Sequence, residues 1–316
     1  MRTISIIFAV ALASCSLAGN QAKPLAGTDG VIGKPTRVGQ FQFTLVGAKF
    51  DTRVITQEDT WIAAKGKKYL VLTFSVQNPG KSELTLEKEN LSFTVVGADT
   101  NNYTSEPTLV NPEKMLPIRM DLKPVQKAPG MVFIEVPGDD PIHKLIVRSR
   151  ESAVVRYDLR GKTAKADGLF AEKNGVTIAD TGNAKIGQKI ELGYFNVTVD
   201  SVDESTAAIG SKAPDDGKKL VVVHVTFGNP SFKERMLERS TYKWDVLDAN
   251  GEKLEFSDDI IRESSADTLA ATVDPSRSMK ARLIFYAPKD SKPATVVLSL
   301  TDYRTVSIAV TPTAKG

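Results

Sequence analysis

The chain has 316 residues and a formal net charge of +3, since its 41 Lys and Arg nearly balance its 38 Asp and Glu. The two signs are interspersed, so there is no basic stripe of the kind that neutralises phosphates, and we expect no nucleic-acid partner. The length fits two domains of roughly 130 residues. Each can bury about two-thirds of its chain surface without a disulfide or a structural metal.

The N-terminus has the features of an export signal. Arg2 provides a short positive region, and residues 4–13 form an apolar run of about ten residues, too short to cross a bilayer. The run ends in Leu12-Ala13-Ser14-Cys15, which resembles the lipobox of bacterial lipoproteins, with Ser14 in place of the commoner Gly or Ala. In such lipoproteins the Cys is acylated and becomes the new N-terminus.

Cys15 is the only cysteine of the chain, which favours a role as the lipid acceptor. We therefore expect residues 1–22 to contain the signal, the lipobox and the start of a tether, with membrane contact through the lipid anchor only. The expected location is the cell envelope, as an exported, membrane-anchored lipoprotein. The alternative is ordinary cleavage after Ala18 or Ala22, which would make the protein simply secreted.

An internal repeat organises the remainder of the chain. The segment from Gly66 to Pro79, which begins Gly-Lys-Lys and ends Asn-Pro, returns from Gly217 to Pro230 at an offset of 151 residues. The repeat predicts two copies of one domain with equivalent core positions. The same offset relates further pairs: Val71 and Val222, Phe93 and Trp244, Val95 and Val246, Pro124 and Pro275, Pro137 and Pro288, and Val155 and Val306.

Each copy is predicted to be a succession of short strands. Alternating apolar and polar residues at 41–45 and 195–199 predict opening strands with one buried face. β-Branched and aromatic residues at 69–76 and 220–227 predict the longest strands, which end at Asn-Pro because proline cannot donate to a ladder. Further elements are expected as hairpins starting at 93 and 244, strands at 130–136 and 280–287, two closing strands in each copy, and short first strands at 30–32 and 175–177.

The pattern predicts an all-β fold. About seven short strands per copy, with regular turn signals, indicate two tandem antiparallel immunoglobulin-like β-sandwich domains behind the signal peptide. We expect the first sandwich in residues 28–160 and the second in residues 174–312. The segment 161–173 carries Lys, Asp, Ala and Gly with few apolar residues, so it is predicted to be a flexible linker between domains that move relative to each other.

An ordered set of motifs occurs in both copies. It comprises an opening Val38-Gly39-Gln40 or Ile186-Gly187-Gln188, a Gly-Lys-Lys strand ending in Asn, and a turn containing Pro124 or Pro275. With this set both copies resemble the telokin-like, immunoglobulin-fold extracellular domains of bacterial secreted proteins and lipoproteins, a family of unknown function. Copy one departs from the family at its hairpin, where Thr100-Asn101 replaces Asn-Gly. The resemblance implies an extracellular role in binding or scaffolding and supplies no catalytic residues.

Residues that carry chemistry are few. His143 and His224 fall one in each copy, too few for a His-rich zinc site, and the mature domains contain no Cys to complete one. The acidic pairs at 139–140, 215–216 and 258–259 lack the regular spacing of a calcium loop, and the Gly-x-Ser-x-Gly elbow of lipases is absent. We therefore expect no enzyme activity, no metal and no cofactor.

Trp61 stands out because it has no aromatic counterpart in the second copy. It lies in a predicted binding loop, residues 51–65, with Ile62 beside it, and an exposed Trp is a typical anchor for a protein or a sugar ring. The alternative is that Trp61 folds back and caps the sandwich. We expect a non-catalytic binding or scaffold protein that uses loops and exposed strand edges on an unknown protein or glycan partner at the cell surface. The alternative function is a carbohydrate-binding accessory protein that uses Trp61.

Overall fold

The computed structural model describes residues 27–104, 109–264, 267–268 and 270–310. The expected signal peptide and Cys15 therefore lie outside the described residues. Within them the regular structure is β-strand, with two single-turn 3₁₀ helices at Lys88–Asn90 and Arg239–Thr241, which confirms the predicted all-β fold. No helix among these residues is long and apolar enough to cross a membrane.

The first half of the chain contains strands that build one sandwich and its covering hairpins. They are β1 (Thr28–Gly30), β2 (Thr36–Val38), β3 (Phe41–Asp51), β4 (Arg53–Ile55), β5 (Thr60–Ile62), β6 (Lys67–Gln77), β7 (Leu84–Leu86), β8 (Leu91–Val96), β9 (Asn102–Thr104), β10 (Val110–Asn111), β11 (Leu116–Pro117), β12 (Met120–Leu122), β13 (Lys127–Pro137), β14 (Lys144–Ser149) and β15 (Val154–Asp158).

The second half repeats the sandwich with fewer additions. Its strands are β16 (Thr181–Lys185), β17 (Ile190–Leu192), β18 (Phe195–Ser205), β19 (Lys218–Gly228), β20 (Arg235–Leu237), β21 (Lys243–Asp248), β22 (Glu255–Arg262), β23 (Ala271–Val273), β24 (Ser278–Pro288), β25 (Pro293–Ser299) and β26 (Thr305–Ala309).

Each copy packs two sheets face to face. In copy one the order β1-β15-β14-β8-β9 covers β11-β10-β13-β6-β3-β2, and in copy two β16-β26-β25-β21 covers β17-β18-β19-β24-β22. Aromatic side chains join the layers: the ring centroids of Phe43 and Phe93 lie 6.1 Å apart, and those of Phe227 and Trp244 lie 6.2 Å apart. Most neighbours are antiparallel, but the first strand of each copy, β1 or β16, runs parallel to its last strand.

The offset of the repeat is visible in the strands themselves. β6 and β19, β13 and β24, and β15 and β26 have bounds that differ by 151 residues. Phe93 and Trp244 are 2% and 4% exposed, and Val95 and Val246 are fully buried, so the predicted core pairs are confirmed. Val71 and Val222 are also buried, but on the outer face of the long sheet, where each belongs to a separate apolar cluster.

The start of each copy follows a different offset from the predicted one. β3 and β18 are related by 154 residues, and each carries a β-bulge at the same step, after Leu45 or Val199. Gly39 therefore corresponds to Gly193, both with positive φ (58° and 65°), whereas Gly187 corresponds to Gly33. The predicted pairing of Val38-Gly39-Gln40 with Ile186-Gly187-Gln188 is wrong, because a three-residue difference lies between the opening strands and the later ones. The first strand predicted at 175–177 is also wrong, and the parallel strand is β16 instead.

The segment 161–173 departs from the expected flexible linker. Phe170 is only 5% exposed and packs into the core of copy two, and the Ala164 N–H donates to the Ala48 carbonyl along the edge of β3 at 2.8 Å. Beyond it, the Ile178 N–H donates to the Gly138 carbonyl of copy one at 2.9 Å. The polar composition of this segment hid a single aromatic anchor and several main-chain bonds, which tie the two copies together.

Candidate functional site

An arginine from copy one is buried in copy two. β4 follows directly on β3, so Arg53 projects away from its own sandwich. Its Nη1 donates to the carbonyls of Gly193 and Phe195, both at 3.3 Å, and its Nη2 donates to Asn196 Oδ1 at 2.8 Å. The same Nη2 lies 3.3 Å from Glu191 Oε2. Burial lowers the pKa of Arg53, and the Glu191 carboxylate offsets part of that effect.

An arginine from copy two makes the reciprocal insertion. Arg304 lies in the turn between β25 and β26 and is 2% exposed. Its Nη1 donates to the Ala63 carbonyl at 2.8 Å, its Nη2 donates to the Lys67 carbonyl, and its Nε donates to the Ala179 carbonyl at 3.3 Å. Its guanidinium also lies over the Phe170 ring, 5.5 Å from the centroid. Since a buried charge is stable only when its donors are satisfied, this set of acceptors holds Arg304 in one position.

The Gly-Lys-Lys turn of copy one is part of the same junction. The Gly66 N–H donates to Asp180 Oδ1 at 2.7 Å. Lys68 is fully buried, with its Nζ donating to the carbonyls of Val176 at 2.7 Å and Asp140 at 3.0 Å, and lying 3.9 Å from the centroid of Phe50. Burial lowers the pKa of Lys68 from its ordinary value of 10.5 to about 8.

A cleft opens beside these contacts and is lined by both copies. Its two adjoining parts have volumes of about 390 Å³ and about 640 Å³ and share four charged residues: Lys49, Asp51, Lys189 and Glu191. The smaller part also has an apolar wall, formed by Val54, Ile55, Val71, Met115, Met131 and Pro230. Cavities of this size, with an apolar wall and a few polar groups, are the usual form of a ligand site.

The charges in the cleft are paired within each copy. Lys49 Nζ lies 3.0 Å from Asp51 Oδ2, and Lys189 Nζ lies 3.0 Å from Glu191 Oε1. Burial opposes ionisation of Glu191, but its pairs with Lys189 and Arg53 outweigh that effect and lower its pKa. The polar wall therefore offers both donors and acceptors without a strong net charge, which suits a ligand with mixed polar groups better than a simple ion.

The structure places Trp61 and Ile62 on strand β5, in the β4–β5 hairpin, and the expectation of a loop there is wrong. Trp61 pairs with Val54 and packs on Phe133 of the outer sheet face, with centroids 5.6 Å apart, yet it remains 41% exposed. Ile62 is half-buried and faces the junction, in a small cavity that Arg304 also lines. The two predicted residues therefore point to opposite sides of the hairpin.

The other residues considered from sequence do not converge. His224 lies between two carboxylates on the outer face of copy two, with its Nε2 3.3 Å from Asp203 Oδ2 and its Nδ1 3.1 Å from Glu263 Oε2. Asp140 accepts bonds from the Ala98 N–H at 2.9 Å and the Tyr103 hydroxyl at 2.8 Å. In the described part of the chain, no group of three or more His, Cys, Asp or Glu is placed to hold a metal ion.

The sequence interpretation missed both junction arginines. Their acceptors lie far along the chain, 140 to 143 residues from Arg53 and 237 to 241 residues from Arg304, so no local pattern indicates them. The repeat holds one signal: at the offset of 151 residues, Arg304 corresponds to Ala153, a small residue. A charged residue that breaks an otherwise matched closing turn marks a position where the copies have different neighbours.

A family model described as "Domain of unknown function (DUF4352)" matches residues 31–153 and 184–305, once in each copy. The telokin-like character predicted from the motifs stays a prediction. No curated protein sequence matches the chain.

Solved bacterial structures are similar to single copies. An uncharacterized β-sandwich protein from Clostridium difficile 630 is 17% identical, with a TM-score of 0.34, over 43% of this chain and 97% of its own. The yjhA protein from Bacillus subtilis is 18% identical, with a TM-score of 0.31, over 40% of this chain and 99% of its own. A conserved hypothetical protein from Bacillus anthracis is 15% identical, with a TM-score of 0.28, over 39% and 93%.

Proposed function

The chain belongs to the DUF4352 family, with two copies of the domain, and we propose that it is a non-catalytic extracytoplasmic binding protein whose copies act as one body. The observation that carries this proposal is the reciprocal insertion of Arg53 and Arg304, because it fixes the two walls of the junction cleft relative to each other. A preformed site loses little conformational entropy when a partner binds, which favours affinity. The partner we propose for the cleft is a protein segment with both apolar and polar side chains.

We also propose that the protein is held at the cell envelope by a lipid on Cys15, with each sandwich of the telokin-like immunoglobulin type. The sequence motif at residues 12–15 and the polar tether after it support this arrangement. A lipid-anchored scaffold suits capture of partners at a surface. Cys15→Ser should release the protein from the membrane fraction or block its maturation; a wild-type mature chain that begins at Gly19 or Lys23 and is free in the medium would indicate simple secretion.

The cleft can be tested because the chain has no cysteine besides Cys15. A soluble Cys15→Ser chain is used to select peptides from a displayed random library. Lys189→Cys, in the cleft, and Lys185→Cys, exposed on β16 outside it, are then each labelled with the same bulky maleimide. The selected peptides should bind at least about tenfold more weakly to the labelled Lys189→Cys protein and unchanged to the labelled Lys185→Cys protein. Equal binding to both would remove the cleft as the site.

The second candidate function is carbohydrate binding through Trp61. The observation that favours it is that Trp61 is 41% exposed while Phe133 supports it from one side, an arrangement that leaves indole surface free to stack on a sugar ring. Retention on immobilised polysaccharides should be lost in Trp61→Ala and kept in Leu116→Ala, a change at another exposed apolar side chain of copy one. If neither variant alters retention, Trp61 serves only to cover its own sheet.

A further inference from the structure

The two copies differ at one edge of their long sheets, next to β3 in copy one and β18 in copy two. In copy one the edge is occupied along its length. The Gly33 N–H donates to the Leu45 carbonyl at 2.8 Å, and after the bulge the Ala164 N–H donates to the Ala48 carbonyl at 2.8 Å. Lys49 and Ala164 form a parallel bridge, so the chain between the copies lies here as a short added strand.

The same edge of copy two is occupied only up to the bulge. The Gly187 N–H donates to the Val199 carbonyl at 2.8 Å, as Gly33 does to Leu45. β18 then continues to Ser205, and within the described ranges no main chain pairs with its free side beyond Val199. By the offset of 154 residues, Val202 corresponds to Ala48, so its carbonyl is the acceptor that the copy-one arrangement would use.

The charge at this edge is reversed between the copies. Asp203 stands where copy one has Lys49, and the exposed residues Asp200 and Glu204 lie on either side of it. Asp200 Oδ2 accepts the Thr226 hydroxyl at 2.6 Å, Asp203 Oδ2 lies 3.3 Å from His224 Nε2, and Glu204 Oε2 accepts from Lys219 Nζ at 2.8 Å. Each carboxylate thus has a neighbour on the sheet and retains acceptor capacity toward the edge, since a carboxylate offers about four lone-pair sites.

We propose that the free edge of β18, residues 200–205, binds an extended, lysine-containing segment of a protein partner as an added parallel strand. The inference rests on the proposed binding function and names a second contact surface for it. Copy one shows the geometry that fits, and the three carboxylates give the preference for a basic strand. In strand addition the main-chain bonds supply affinity and the alternating side chains supply specificity.

The probe is the chain's own linker sequence, residues 160–168, as a synthetic peptide, because it carries Lys162 and Lys165 on either side of the residue that bridges to β3 in copy one. The peptide is titrated into the soluble Cys15→Ser chain and followed by amide chemical shifts. We expect the largest shifts at residues 200–205. Two changes in the peptide separate the contributions. N-Methylation at the position of Ala164 removes the main-chain donor, and glutamate in place of both lysines removes the charge match; each should weaken binding about tenfold or more.

The matched protein variants are Asp203→Lys, at the edge, and Glu113→Lys, an exposed carboxylate in the β10–β11 turn of copy one. Asp203→Lys should weaken peptide binding by at least about fivefold at low salt, and Glu113→Lys should leave it unchanged. Shifts away from residues 200–205, or equal affinity for the N-methylated peptide, would overturn the proposal. So would self-association of the chain that protects this edge, because the occupant would then be a second copy. If only these results fail while the Lys189→Cys label still blocks peptide binding, the cleft proposal stands without the edge.

Discussion

At the scale of single residues, the junction depends on two buried guanidinium groups whose acceptors are mostly carbonyl oxygens. Neutral acceptors do not cancel the desolvation of a cation as a carboxylate does, and the pKa of Arg304 is lowered by burial accordingly. Such a group is held where it is by geometry: removing it leaves several carbonyls buried without donors. This differs from the exposed pair of Arg160 and Asp158, whose charges remain in contact with water.

Arg304→Ala should therefore destabilise the protein. The carbonyls of Ala63, Lys67 and Ala179 lose their donor, and the expected loss is about 3 kcal/mol in the free energy of unfolding by denaturant. Copy one already accommodates alanine at the corresponding position, Ala153, so the backbone itself tolerates the change. Arg160→Ala is the matched control and should leave the midpoint unchanged. A similar midpoint for both variants would mean that the junction contributes little.

Lys68 gives a pH dependence of known sign. Its folded pKa of about 8 lies below the unfolded value, so between these values the unfolded chain binds more protons and stability rises with pH. From about pH 7.5 to about pH 9.5 this group should add about 2 kcal/mol. Lys68→Met should remove that rise, whereas Lys219→Met, at the equivalent position paired with Glu204, should retain it. The measurement is urea unfolding at a series of pH values; a wild-type protein whose stability is flat across this range would contradict the assignment.

The sequence predicted core residues well and junction residues poorly, for a physical reason. Phe93, Trp244, Val95 and Val246 alternate along strands, and alternation is a local consequence of the two-residue period of a strand. Lys68 also lies in such a strand, but its charged end reaches carbonyls of Asp140 and Val176, which no local pattern specifies. A lysine after glycine resembles a solvated turn residue until the second copy is packed against it.

At the scale of elements, the Asn-Pro turns are more than strand ends. Asn229 is 2% exposed; its Nδ2 donates to the carbonyls of Lys233 at 2.8 Å and Val273 at 2.7 Å, and its Oδ1 accepts from the Ser231 N–H at 2.9 Å. Asn78 makes the corresponding bonds to Ser82, Leu122 and Gly80 in copy one. One amide thus joins the end of a long strand to the strand that precedes the next proline turn, in both copies.

Asn229→Ala should cost about 2 kcal/mol or more in the free energy of unfolding, because the buried carbonyls of Lys233 and Val273 lose their donor. Asn183→Ala, at an exposed position on β16, is the control and should have little effect. Thermal unfolding of the two variants side by side checks this. An Asn229→Ala protein as stable as Asn183→Ala would show that water satisfies the carbonyls and that the turn needs no clamp.

The long strands were predictable because Gly and Asn-Pro punctuate them, and their bounds repeat in both copies. The β4–β5 hairpin was not, since residues 51–65 have no counterpart in the repeat and alternate only over three residues in each strand. Its conformation is set by long-range contacts: Val54 joins the apolar cluster on the outer sheet face, and Arg53 enters copy two. Short strands stabilised in this way carry too few residues for a period to be read.

At the scale of the whole molecule, the account makes the tandem a single unit. Phe170, Arg53, Arg304 and Lys68 together remove the freedom that the polar composition of residues 161–173 predicts. The ion pair of Arg235 with Asp59, at 2.6 Å between Nη2 and Oδ1, adds a contact between the hairpin and copy two. A cleft lined by both copies has a fixed shape only if this holds, so both the proposed function and its regulation by sequence changes depend on the rigidity of the junction.

The relative orientation of the copies in solution tests this claim most directly. Residual dipolar couplings of backbone amides, measured on the soluble Cys15→Ser chain, give one alignment tensor for the strands of each copy. A rigid junction predicts tensors of equal magnitude and common orientation in the arrangement described here, and predicts that Arg53→Ala combined with Arg304→Ala makes them diverge. Tensors that differ between the copies in the unsubstituted junction would show two independently moving sandwiches and contradict the account.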